Sequence, residues 1–144
     1  MNRLATIGYQ SDTQAGVIAR LKAAGVELVI DVRAVASSRK AGFSKTLLGN
    51  SLKAEGVDYA HLRPLGTPKA GRDAARAGRV DEMRDIFNAH LDEPDAQLAL
   101  AQATELATTK RVALLCYEDD PNCCHRQIVA DEIRRRLKCE VVDL

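Results

Sequence analysis

Glu27-Leu28-Val29-Ile30-Asp31-Val32-Arg33 is the stretch that decides the fold. Its aliphatic residues stand side by side instead of alternating with polar ones, and the run closes on charges. A segment that is apolar on both faces needs cover on both faces, as a central strand of a parallel sheet does. Working back from it, Gly25 reads as a helix stop. Ser11, with Gln14 three residues on, has capping-box spacing and is expected to start that helix, with Ala15, Ile18 and Leu21 on its inner face. Leu4–Tyr9 before it reads as a first strand. Working forward, a polar loop through Ser37, Ser38, Arg39 and Lys40 leads to Ser44, the expected cap of a helix through Glu55. Val57–Leu62 reads as the third strand.

The same alternation continues to the end of the chain. Arg63-Pro64-Leu65-Gly66-Thr67-Pro68-Lys69-Ala70-Gly71-Arg72-Asp73 carries two Pro and two Gly, which argue against helix or strand through most of it. Long loops of this kind are more often functional than not. Helical patterns follow at Val80–Leu91 and Asp95–Thr108, broken at Pro94. Next come a strand at Val112–Cys116, a helix from about Arg126 to Lys138 and a last strand at Cys139–Asp143. The expected fold is α/β: a three-layer, open, mostly parallel sheet of about five strands with helices on both faces. A single domain over residues 1–144 is expected, without internal repeat or linker.

Composition narrows the function classes. Hydrophobic content of 46% and charged content of 28% are ordinary for a globular chain, whereas aromatics at 3% leave the core to Leu, Val, Ile and Ala. A net charge of +1 argues against a general polyanion-binding surface, so any basic site has to be local. No apolar run reaches the roughly 18 residues of a membrane span. Four Cys without a signal-peptide pattern suggest a reducing compartment, and a cytoplasmic protein is expected.

In open α/β sheets ligands bind beyond the carboxyl ends of the strands. Asp31 and Arg33 end the second strand, His61 the third, and Cys116 and Glu118 the fourth. The loops leaving that rim hold Ser38, Arg39, Lys45, Lys69, Arg72, Cys124, His125 and Arg126. So many cations on one set of loops in a near-neutral chain point to a local anion site. A Cys124 thiol in the first turn of a helix beside an arginine ionises more easily than a free one. Arg126 offers a planar grip on phosphate or carboxylate, and His125 can serve as general acid or base. The plainer alternative makes Cys124 a small buried residue, His125 a cap partner and Arg126 a surface ion pair. Asp31 orients Arg33 or Arg39, or else belongs to an internal ion-pair network. Cys116 and His61 fit interior packing as well as chemistry, and His90 fits a helix C-terminus. Adjacent Cys123 and Cys124 lack the spaced pairs of structural zinc sites, so neither a metal nor another cofactor is expected.

With these residues laid out, the chain resembles the DUF488 family. The resemblance rests on Thr6-Ile-Gly-Tyr9, Gly25-Val26 with Asp31-Val-Arg33, Ser38-Arg39, Gly42-Phe-Ser-Lys45 and His61-Leu62. It continues through Leu65-Gly66-Thr-Pro68-Lys69, Arg72-Asp73, Leu115-Cys116-Tyr-Glu118 and Pro121 to Cys124-His125-Arg126. Val35-Ala36 departs from the pattern at a place where such members often carry proline. The resemblance implies an α/β fold with a shared rim of motifs and brings no established reaction with it. A looser, topological likeness runs to rhodanese-type domains, but nine residues separate Cys116 from Arg126, longer than the tight anion-cradling loop of that fold. Sulfur transfer by Cys116 is therefore not inherited.

The leading expectation is an enzyme acting on an anionic, phosphate-bearing substrate, with nucleotides and nucleic acids among the candidates. Arg33, Arg39, Lys45 and Arg126 would bind charge, and Cys124, His125 and Glu118 would carry the chemistry. The alternative is a non-catalytic nucleotide or nucleic-acid binding module using the same cations. Tyr9, Phe43, Tyr59 and Tyr117 are too scattered along the chain to argue for base stacking. A thiol switch between Cys123 and Cys124 ranks last, because adjacent cysteines pair only with strain.

Overall fold

The computed structural model describes residues 3–144. One sheet holds β1 (Arg3–Gly8), β2 (Leu28–Asp31), β3 (Asp58–His61), β4 (Val112–Cys116) and β5 (Glu140–Asp143), in the order β3-β2-β4-β1-β5. Every neighbouring pair runs parallel. Six α-helices connect and flank the strands among the described residues: α1 (Gln14–Ala23), α2 (Lys45–Ala54), α3 (Lys69–Arg76), α4 (Val80–Leu91), α5 (Pro94–Thr109) and α6 (Arg126–Leu137). This is the expected α/β class.

The side-chain period of two divides the central strands between two cores. Leu28 and Ile30 of β2 join Val112, Leu114 and Cys116 of β4 in a core covered by α3 to α6, where Met83, Phe87, Leu100 and Ile133 meet them. Val29, Ala113 and Leu115 turn the other way, with Ala5 and Ile7 of β1, against Val17, Ile18 and Leu21 of α1 and Leu48 and Leu52 of α2. The double cover read from the run at 27–33 is thus real. The outer strands β3 and β5 are largely half-buried or exposed, as their mixed sequences require.

Register brings the strand ends together. Gly8 lies beside Cys116, and Asp31 lies between Leu115 and His61. The carboxyl ends of β1, β2, β3 and β4 therefore share one rim, and the loops that leave them build the site.

Three local expectations are corrected. Helix α1 is capped by Thr13, whose hydroxyl accepts from the Gly16 N–H at 3.0 Å. The Ser11 hydroxyl donates instead to Asp119, a partner 108 positions away. The inner face of α1 is Val17, Ile18 and Leu21, and Ala15 is exposed. Ser44 is the N-cap of α2 as expected, although its side chain makes no cap bond and instead laces the preceding loop, accepting from the Ser38 N–H at 3.0 Å. The segment at 63–73 is not irregular: a 3-10 turn covers Arg63–Leu65, and α3 begins directly after Pro68. A proline lacks the N–H that a helix start leaves unused, so it opens a helix as readily as it stops one. Gly71 sits inside α3 because a Cβ there would lie 2.3 Å from the Thr67 methyl.

Candidate functional site

Strand β4 delivers Cys116 to the rim, and the chain then loops through Tyr117–His125 before α6. Two features hold that loop down. Tyr117 accepts at its carbonyl from the N–H groups of Tyr9 and Gln10, at 3.1 and 2.9 Å. The Arg126 guanidinium, buried at the start of α6, donates to the carbonyls of Glu118 and Asp119 at 2.5 and 3.2 Å. Gly8 permits the close approach, since a Cβ there would meet the Glu118 carbonyl oxygen at 1.9 Å. The loop is thereby folded back so that Cys116, Glu118, Cys124 and His125 meet.

His125 is the hinge of the cluster. Its Nε2 donates to the Val32 carbonyl at 2.6 Å, which assigns a proton to that nitrogen because a carbonyl only accepts. Its Nδ1 faces the sulfurs of Cys116 and Cys124, each at 3.8 Å. The Phe87 ring packs 5.0 Å from the imidazole. Cys116 Sγ also donates to Glu118 Oε2 at 3.4 Å. Cys116, Cys124 and His125 are buried, and their donor atoms lie within 4.8 Å of one another, a spacing that suits a single shared cation.

Crowding divides the protons unevenly. Burial pushes the Cys124 thiol up, but the bond from Cys116, the His125 ring and the Arg126 charge outweigh it and hold Cys124 well below the usual cysteine range. Cys116 is pushed well above that range by its bond to Cys124, then by burial. Burial alone would lower His125; the Cys124 charge and its hydrogen bond reverse the effect and raise it. Burial, then Cys124, raises Glu118. Of the two buried thiols, Cys124 is therefore the more readily ionised.

The cluster lies on the wall of a cavity of ≈ 970 Å³. Ser38 and Arg39 of the loop after β2 and Arg72 of α3, three of the residues expected to contact a substrate, border it. Lys40, Arg76 and Tyr117 also border it and were not foreseen as site residues. Arg72 donates to the Thr67 carbonyl at 2.9 Å, which steadies one nitrogen of its fork. Arg76 lies in the last turn of α3, a helix that starts inside the 63–73 segment whose prolines and glycines argue against one.

Other expected substrate contacts have different positions. Asp31, Lys45, His61, Lys69 and Arg126 do not border the cavity. Arg126 is committed to the two loop carbonyls, and its buried Nε has no partner. Asp31 is buried and holds Arg33 through a pair of bonds, Nη2 at 2.6 Å and Nε at 2.9 Å. Arg33 also donates to the Tyr9 hydroxyl and the Phe43 carbonyl at 2.9 and 2.8 Å, so most of its donors are occupied although it borders the cavity. Burial opposes the Arg33 charge, and Asp31 and Tyr9 more than restore it, leaving it raised. This is the internal ion-pair network considered as the alternative for Asp31. The Tyr59 hydroxyl donates to Asp31, and burial together with that carboxylate raises Tyr59. His61 Nε2 donates to the Arg33 carbonyl at 2.7 Å, and His90 Nε2 to the Pro64 carbonyl at 2.8 Å. Both are fastened to backbone. Lys69 is exposed and paired with Asp73, and Lys45 is exposed at the start of α2. Cys124 stands two residues before α6 and His125 at its N-cap, not within its first turn.

The aromatics scattered along the chain do gather in space. Tyr9 stacks on Phe43 with centroids 4.2 Å apart and meets Tyr117 edge-on at 5.4 Å. Tyr9 is buried and serves as packing under the rim, while Tyr117 is largely exposed beside the cavity.

The fold and site define an open parallel α/β domain with a buried thiol–imidazole cluster at the carboxyl rim of its sheet. The chain belongs to the family described as Domain of unknown function DUF488, whose model matches residues 13–133. Comparison with curated proteins and with solved structures gives no match. No helix among the described residues is long and apolar enough to cross a membrane.

Proposed function

We propose that this protein is an enzyme acting on an anionic, phosphate-bearing small molecule in the cavity between the loop after β2, α3 and the loop after β4. The observation that carries this is the placement of buried Cys116, Cys124 and His125, with half-buried Glu118 beside them, at the wall of a cavity bordered by Arg39, Lys40, Arg72 and Arg76. Cations gathered at a concave site draw in and orient an anion even when the whole chain is near neutral. Arg72 and Arg39 would grip the charged group. Cys124, His125 and Glu118, within reach of a ligand seated there, would supply nucleophile and proton-transfer groups. A concave pocket favours a small molecule or a nucleotide over a duplex backbone.

The experiment pairs binding with turnover. Calorimetric titration with inorganic phosphate and pyrophosphate should show binding that Arg72→Ala weakens about tenfold, the share of one charge-assisted contact. A panel of phosphomonoesters and nucleotides should reveal turnover that Cys124→Ser abolishes while anion binding persists. Anion binding unaffected by Arg72→Ala and Arg39→Ala refutes the substrate class. Binding without turnover across the panel favours the non-catalytic nucleotide-binding module.

A further inference from the structure

The geometry points to a zinc-type metal site formed by Cys116 Sγ, Cys124 Sγ and His125 Nδ1, with its fourth coordination position open to the cavity. A tetrahedral zinc ion with sulfur at about 2.3 Å and nitrogen at about 2.0–2.1 Å sets sulfur-to-nitrogen edges of roughly 3.6 Å. Both observed Sγ···Nδ1 separations are 3.8 Å, and the three donors lie within 4.8 Å of one another. The two edges to the nitrogen need to shorten by only about 0.2 Å.

The imidazole is already set for this. With Nε2 donating to the Val32 carbonyl, only Nδ1 is left for a further bond, and it is the nitrogen that faces the two sulfurs. A backbone carbonyl holding the far nitrogen is the usual outer support of a metal-bound histidine. Charge also balances. Two thiolates neutralise a dication, and the neighbouring Glu118 carboxylate and Arg126 guanidinium carry opposite signs, so the buried centre keeps no excess charge. Thiolate ligands select a borderline-soft ion such as zinc over magnesium or calcium. Three protein ligands with one open position is the catalytic arrangement, whereas structural sites are closed by four. Glu118, bonded to Cys116, borders the same cavity. The ligands come from a strand end and from the far end of the following loop, a C-x7-C-H spacing that no short zinc motif describes. The site stands whether or not the cavity takes an anion; with a metal bound, Cys124 and His125 would serve as its ligands rather than as nucleophile and proton carrier, leaving Glu118 for proton transfer.

The full chain, reduced and stripped with chelator, is titrated with Zn²⁺ and Co²⁺ in the absence of substrate. The expected result is one equivalent of either ion, with the Co²⁺ form showing thiolate charge-transfer absorption and tetrahedral visible bands. Cys116→Ser and Cys124→Ser should each lose the charge-transfer intensity of one thiolate and bind more weakly, while Cys123→Ser and Cys139→Ser keep the wild-type spectrum. Should the first two variants fail to fold, X-ray absorption on the wild-type zinc protein decides: two sulfurs at about 2.3 Å with nitrogen or oxygen completing the shell are expected. Absence of stoichiometric binding, a shell with fewer than two sulfurs, or an unchanged spectrum in both variants overturns the site. Zinc bound without turnover of any phosphate ester defeats the enzyme reading alone, and turnover by chain that binds no metal defeats the metal site alone.

Discussion

Arg33→Leu should be among the most damaging substitutions outside the hydrophobic core. Asp31 is fully buried, and the Arg33 side chain that neutralises it is 6% exposed. Leucine fills part of the space but leaves the carboxylate with Tyr59 and the backbone N–H of residue 33 as its remaining donors. Removing one partner of a buried pair costs about 3–5 kcal/mol, because the other charge is left uncompensated. A chain of 144 residues unfolds with an entropy near 0.3 kcal/mol/K, so the loss corresponds to a fall in Tm of roughly 10–16 °C. Urea unfolding followed by circular dichroism should show the midpoint falling with little change in slope. The double variant Asp31→Asn/Arg33→Leu should recover a large part of the loss, since it removes the stranded charge. A loss below about 1 kcal/mol, or single-variant losses that simply add, would show that the pair is not coupled as its geometry implies.

The remaining predictions concern the parts that hold the site together. Gly8→Ala places a methyl 1.9 Å from the Glu118 carbonyl oxygen, which must move; a loss of about 1–3 kcal/mol in thermal unfolding is expected, and a neutral result would mean that the loop yields freely. Arg126→Met removes charge-assisted bonds to the Glu118 and Asp119 carbonyls and should cost about 3 kcal/mol, with faster hydrogen exchange at residues 117–123. Unchanged exchange there would contradict the clamp. His90→Ala frees the Pro64 carbonyl and should cost about 1–2 kcal/mol, with looser protection at Leu65 and Gly66 as the check.

Much of the frame was legible in the sequence. The apolar runs at 28–30 and 112–116 announce strands covered on both faces, and the structure puts β2 and β4 side by side with helices above and below. The 80–91 helix and the 112–116 strand have the expected bounds. The misses lie where a residue answers to a distant partner. Ser11 looks like a helix cap but is taken by Asp119, and Pro68 looks like a breaker but opens α3. Arg33 and Arg126 look like anion ligands, yet the fold ties Arg33 to Asp31 and Phe43 and Arg126 to two loop carbonyls. Composition cannot reveal this, because a guanidinium that bonds carbonyls and one that grips a ligand are the same residue.

The chain by itself determined which segments are strand or helix and which faces must be buried, since the transfer energy of each side chain is local and its period is read directly. Only the tertiary structure decided the neighbours. Inserting β4 between β1 and β2 sets Cys116 beside Gly8, and the returning loop carries His125 to the Val32 carbonyl 93 positions away. Those meetings depend on strand order and loop closure, quantities set by the whole chain, so the shared donor cluster of Cys116, Cys124 and His125 had no signature in spacing.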